Sequence, residues 1–180
     1  DMIIDEHKAI FIHIPKNAGT AIETLFGNSS FRIQPSKHAD IHEIKRNFKN
    51  SYNNYRKFTI IRNPYDKMVS WYFYLKRNVG ENHKVVDFNE WIKDPSKFWH
   101  ANDPISYLKP QHEWVDDTVE VIKFENLNEE LSEFFKEEIN LPVINKSNHD
   151  HYSTYYNRES LGIIYDRYKE DFKKYNYKKL

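Results

Sequence analysis

Apolar positions along this chain fall into short segments whose spacing switches between strand and helix periods. Ala9–Ile14 is a nearly unbroken apolar run with the length of a buried strand, and Gly19–Phe26 follows at helical spacing, closed by Gly27. Phe31–Ile33 reads as a second strand. Asp40–Phe48 carries Ile41, Ile44 and Phe48 on one helical face. Lys57–Ile61 is another β-rich run, and Tyr65–Arg77 an aromatic amphipathic helix. Asp87–Lys93 opens a short helix, Thr118–Phe124 alternates like a strand, and Leu127–Ile139 places Leu127, Leu131, Phe134 and Phe135 on one side. Asn145–Asn157 has no period and reads as a loop, and Arg158–Tyr175 reads as one closing helix. Strands separated by helices predict an α/β fold with a mainly parallel central sheet flanked by helices. Ligands of such sheets gather at the carboxyl ends of the strands, so the informative residues lie where a strand hands over to a helix.

Length and charge narrow the class. The 180 residues fit a single domain spanning 1–180. Lys plus Arg and Asp plus Glu each number 27, which excludes the basic field of a nucleic-acid binder. A mean hydropathy of −0.87 would suit a solvated tail. Aromatic residues at 16%, with only four Gly, instead require a packed core. The lack of Cys removes disulfides, thiolate nucleophiles and cysteine zinc sites, and it fits a reducing compartment, so a cytoplasmic location is expected. No apolar run approaches the ~20 residues of a membrane span, so no membrane segment is expected in this chain.

Two strand-to-helix corners carry the candidate chemistry. After Ala9–Ile14 come Pro15, Lys16, Asn17, Ala18, Gly19, Thr20 and Ala21. A turn of small residues opening a helix aims several backbone N–H groups at one point, where the helix dipole adds roughly half a positive charge. Lys16 adds a full charge, and the turn fits a phosphate or sulfate group. Thr20-Ala21-Ile22-Glu23 also has the form of a capping box, which accounts for Thr20 and Glu23 without any ligand. The pattern is not a Walker A loop, because Lys16 precedes the single glycine.

The second corner is Arg62-Asn63-Pro64-Tyr65-Asp66, at the end of Lys57–Ile61. Asn63 suits an N-cap, Pro64 the first helical position, and Asp66 the first turn. Arg62 offers a planar fork for a second phosphate, with an Arg62–Asp66 ion pair as the structural alternative. Ser70 follows two turns into the helix.

Together, Phe11-Ile12-His13-Ile14-Pro15-Lys16-Asn17-Ala18-Gly19-Thr20 and Arg62-Asn63-Pro64-Tyr65-Asp66-Lys67-Met68-Val69-Ser70 resemble the two cofactor signatures of sulfotransferases. The likeness is to the carbohydrate branch that includes heparan sulfate 2-O-sulfotransferases. Lys37-His38-Ala39, and Leu141-Pro142 through Asn145-Lys146-Ser147 with Tyr155-Tyr156, extend it over most of the chain. The resemblance implies a P-loop-like three-layer fold. It also implies 3′-phosphoadenosine 5′-phosphosulfate (PAPS) as donor and 3′-phosphoadenosine 5′-phosphate (PAP) as product. On it, Lys16, Asn17, Ala18, Gly19, Thr20 and Ala21 hold the 5′-phosphosulfate, and Arg62 and Ser70 hold the 3′-phosphate. Lys146 and Ser147 contact the nucleotide from the closing loop. The partner it implies is a hydroxyl-bearing acceptor, a saccharide. Asn17 departs from the Thr often found there, and the chain is shorter than most relatives, as if acceptor-binding additions were missing.

Within that frame Lys16 is the catalytic cation and His38 the expected base, since sulfotransferases place a catalytic His between their signatures. His, with a reference pKa of about 6.5, suits proton removal near neutral pH. His13, on the first strand, is the rival. His38 and His42 stand four apart, and His149 and His151 add donors, but a catalytic zinc site usually wants three protein ligands. No metal is assigned, and the reaction does not demand one. Two alternatives stay open: a P-loop kinase or nucleotide hydrolase, which needs an acidic Mg²⁺ ligand at a strand end, and a non-catalytic carbohydrate-binding relative.

Overall fold

The computed structural model describes residues 2–27, 31–32, 38–78, 86–98, 104–141 and 149–180. Packing divides the chain into two compact units. One comprises Asp1–Arg62 with Gln111–Asn145, the other Asn63–Pro110 with Lys146–Leu180.

The first unit is built on five strands: β1 (Met2–Ile4), β2 (Ala9–Ile12), β3 (Phe31–Arg32), β4 (Arg56–Ile61) and β5 (Val119–Lys123). Their order is β3-β1-β2-β4-β5. β2, β4 and β5 run parallel, with Phe11 opposite Phe58 and Ile60 opposite Ile122. β1 folds back antiparallel on β2, and β3 pairs antiparallel with β1, so an antiparallel edge is added to the expected parallel half. The strand at Met2–Ile4 was not foreseen, because three residues are too few to show a period.

Alternation along the strands separates two faces. Ile4, Ala9, Phe11, Phe58, Ile60 and Ile122 bury one face under α1 (Gly19–Phe26) and α7 (Leu127–Phe135), through Ile22, Phe26, Leu131 and Phe134. α2 (Ile41–Asn47) leads into α3 (Lys49–Asn54), which lies over the opposite face. There Lys57 Nζ donates to the Tyr52 carbonyl at 2.7 Å and sits 4.7 Å from the Tyr52 ring centroid. Helix, sheet and helix make the three layers of a P-loop-like α/β fold. Asp40 starts α2 as foreseen, accepting from the His42 and Glu43 N–H groups while Glu43 returns to the Asp40 N–H. The helix expected over Leu127–Ile139 stops earlier, at Phe135, because Lys136 adopts a left-handed conformation that ends it.

The second unit is helical: α4 (Pro64–Asn78), α5 (Phe88–Lys93), α6 (Pro104–Leu108), α8 (Arg158–Arg167) and α9 (Lys169–Lys174). The single helix expected over Arg158–Tyr175 is two, broken at Tyr168, which leaves helical geometry with φ −115 and ψ 24. Its core is aromatic, with Tyr65, Trp71, Tyr72, Phe88, Trp91, Tyr168 and Phe172. Trp71 meets Trp91 edge-on at 4.9 Å. No helix among the described residues is long and apolar enough to cross a membrane.

One cation lies inside that core. Lys67 is 2% exposed, and its Nζ donates to the Tyr107 carbonyl at 3.2 Å. Burial pulls its pKa down to about 8, partly opposed by the negative charge of Asp171. Above that value the folded chain has shed a proton that the unfolded chain keeps up to its ordinary lysine range, so this group adds stability as pH rises from about 8 toward 10.5. Chemical denaturation of wild type and Lys67→Met at pH 7 and pH 10.5 should show the difference moving in wild type's favour by about 3 kcal/mol.

Candidate functional site: the anion turn after β2

The turn that follows β2 is an unusual piece of backbone. The Asn17 N–H closes on the Ile14 carbonyl at 3.3 Å, with Pro15 second and Lys16 third in the turn, the arrangement of a type II turn. That third position calls for positive φ, which Lys16 supplies at 69° without being glycine. Ala18 is also left-handed, at φ 60°. Each such residue costs roughly 1–2 kcal/mol relative to right-handed backbone. Alternation of this kind turns successive N–H groups inward to form an anion nest.

The helix start corrects one expectation. The N-cap of α1 is Ala18, which has no side-chain acceptor, and Thr20 lies inside the helix and exposed. Thr20 and Glu23 therefore do not form a capping box. The Ala21 and Ile22 N–H groups both return to the Ala18 carbonyl, at 3.0 and 3.2 Å. The N–H groups of Ala18, Gly19 and Thr20 meet no hydrogen-bond acceptor among the described residues. Three donors thus stand at the positive end of an eight-residue helix with no acceptor among the described residues.

The single glycine of the turn has a steric reason. A Cβ on Gly19 would fall within the His13 imidazole, against Nε2, Cε1 and Cδ2. The His13 ring therefore lies directly on the start of α1. It also stacks on Phe11 at 5.6 Å and keeps Nδ1 3.9 Å from Glu23 Oε1. His38 joins this group: its ring centroid is 4.7 Å from that of His13, and its Nδ1 is 3.3 Å from the His13 carbonyl. A carbonyl can only accept, so Nδ1 carries the proton and Nε2 of the neutral ring holds the lone pair. The two histidines that the sequence offered as rivals are thus neighbours beside one turn.

The end of β4 is bolted to the same turn. Arg62 is 9% exposed, its Nη1 donates to the Lys16 carbonyl at 3.1 Å, and its guanidinium lies 4.1 Å from the Phe124 ring centroid. Asn17 is fully buried, and its Nδ2 donates to the Ile60 carbonyl and to Gln111 Oε1, both at 2.7 Å. The same Gln111 amide brackets Arg62, accepting from its N–H at 3.0 Å and donating to its carbonyl at 2.8 Å. Gln111 escaped the sequence reading, since a lone Gln after Pro110 carries no periodic or motif signal.

The remaining predicted residues are placed as follows. Ala21 faces the core of the first unit from α1. Ser70 is buried on α4, in the second unit. Asn63 caps α4 as expected, accepting from the Tyr65 N–H at 3.0 Å. Lys146 and Ser147 lie outside the described residues. No cluster of three or more His, Asp or Glu among the described residues is disposed to hold a metal ion.

The model of the sulfotransferase family matches residues 2–118, which include the turn, His38, Arg62 and Gln111. No curated protein and no solved structure gives a match. The match covers more than half of the chain, and so this protein belongs to the sulfotransferase family.

Proposed function

We propose that this chain moves a sulfuryl group from PAPS to the hydroxyl of a carbohydrate acceptor. The family supplies the reaction class, sulfuryl transfer, while the donor and the saccharide are our reading. The observation that carries it is the set of three N–H groups at Ala18–Thr20 that have no acceptor among the described residues, at a turn with left-handed Lys16 and Ala18 and beside a histidine pair. A nucleotide bearing a phosphosulfate fits that donor set, because both are fixed in number and direction before anything binds.

The chain's residues divide the work. The N–H groups of Ala18, Gly19 and Thr20 bind the 5′ anion, and Lys16 neutralises the charge that grows on the bridging oxygen as the bond to sulfur breaks. Catalysis of this kind is mainly positioning and electrostatics. Arg62 fixes the Lys16 carbonyl and offers its guanidinium charge to the 3′-phosphate. His38, with its Nδ1 proton on the His13 carbonyl, takes the acceptor proton on Nε2. The donor supplies the sulfuryl group itself. A kinase or nucleotide-hydrolase reading is less favoured, since β4 is followed by Arg62 where a Mg²⁺ carboxylate is needed, and Glu125 after β5 lies in the first turn of a short 3₁₀ helix.

The direct test is transfer of labelled sulfate from PAPS to a panel of saccharide and phenolic acceptors, with ATP and Mg²⁺ as the competing substrate. Sulfated saccharide supports the proposal, and ATP turnover without sulfation would overturn it. Lys16→Ala should lower the transfer rate by ~10²–10³, and a rate within twofold of wild type would remove Lys16 from the chemistry. His38→Ala should abolish transfer while calorimetric affinity for PAP is retained. Arg62→Ala should weaken PAP binding by about tenfold or more, the scale of one charge-assisted contact.

A further inference from the structure

We infer that Gln111 is a positioning residue for the anion turn, acting through Asn17 and Arg62 without touching the donor; this rests on reading that turn as the donor site. Residue 111 is 1% exposed, and its amide joins the two corners through its hydrogen bonds with Asn17 Nδ2, the Arg62 N–H and the Arg62 carbonyl. Toward β4 it acts as a short piece of strand, pairing with both the N–H and the carbonyl of Arg62. That pairing holds the residue just beyond the last register pair of the parallel ladder, Ile61 with Lys123. Toward the turn it accepts from Asn17 Nδ2, whose second bond goes to the Ile60 carbonyl. Asn17 therefore lies in a frame of two acceptors, one a side chain and one β4 itself.

The chemistry explains why residue 17 is Asn. Only a planar NH₂ group offers two protons in fixed directions to two buried acceptors at 2.7 Å; a hydroxyl has one proton. Asn17 Oδ1 is buried and accepts nothing among the described residues, a cost that the two donor bonds offset. Asn17 is flanked by the two left-handed residues, Lys16 and Ala18. Backbone of that kind relaxes unless its surroundings over-determine it. The bonds from Asn17 to Gln111 and Ile60, with that from Arg62 to the Lys16 carbonyl, supply the constraint. Loss of Gln111 leaves the turn free to rotate its N–H groups away from a common point, which matters because displacements of about 1 Å can cost ~10² in a preorganised site.

The experiment is a double-mutant cycle on Gln111→Met, Asn17→Ala and their combination, read by PAP affinity in calorimetry and by hydrogen exchange along residues 15–21. Circular dichroism sets a temperature at which each variant is folded. Each single change should weaken PAP binding about tenfold or more and speed exchange in the turn, with β2 and β4 still protected. The double variant should bind no worse than about threefold below the weaker single one, since the two side chains act as one unit. PAP affinity within twofold of wild type in the folded variants, with only the melting temperature lowered, overturns the inference. Should Gln111→Met not fold, Asn17→Ala decides alone, because it leaves both Gln111–Arg62 bonds in place. If wild type itself binds no PAP, the donor reading fails. Exchange at 15–21 then decides the role of Gln111: acceleration in the variants upholds the clamp, and unchanged exchange removes it.

Discussion

A buried amide pair, Asn17 with Gln111, is the constraint on which the candidate site depends. Both side chains are sealed from water, so each polar group left unpaired there would cost about 1–3 kcal/mol. That penalty makes the pair specific: the Asn17 NH₂ must reach Ile60 and Gln111 together, and Gln111 must face Arg62 edge to edge. A turn with two non-glycine left-handed residues can persist only under such an over-determined frame. The fold of the first unit provides it by setting β2 and β4 side by side and parallel, so that both carboxyl ends open at the same edge of the sheet.

The electrostatic economy of the protein follows from this. With no net charge, the chain has no long-range field to gather polyanions. In the proposed reading, attraction for an anion is instead local: N–H groups with no acceptor among the described residues, a helix dipole, Lys16 and Arg62. Such a site discriminates by geometry more than by charge, which suits a donor with two separated anionic groups. The histidine pair shows the same economy. One carbonyl, that of His13, fixes the tautomer of His38, while the His13 ring occupies the space that glycine leaves at position 19.

Much of the fold was legible in the sequence, for physical reasons that differ between elements. Gly19–Phe26 was readable to the residue because a helical period, a glycine and a preceding apolar run coincide. Asn63-Pro64 marked the start of α4 because capping is a local property of two or three residues. The parallel pairing of β2, β4 and β5 followed from intervening helices. What stayed hidden depends on distance in the chain. Gln111 lies 94 residues from Asn17, and nothing local distinguishes it from a surface Gln. Thr20 looked like a cap because Thr-x-x-Glu is a common cap pattern; only the left-handed φ of Ala18, imposed by tertiary bonds, moves the cap two residues back. His13 and His38 read as competitors, since sequence gives no sign that a two-residue strand and a helix cap return one ring to within 4.7 Å of the other.

The most direct measurement is an amide ¹H–¹⁵N titration of the wild-type chain with PAP. The N–H resonances of Ala18, Gly19 and Thr20 should shift first and furthest, saturating with the side-chain signals of Arg62. Saturable binding that leaves those three amides unmoved, or no binding at all, would contradict the assignment of this turn as the donor's anion site.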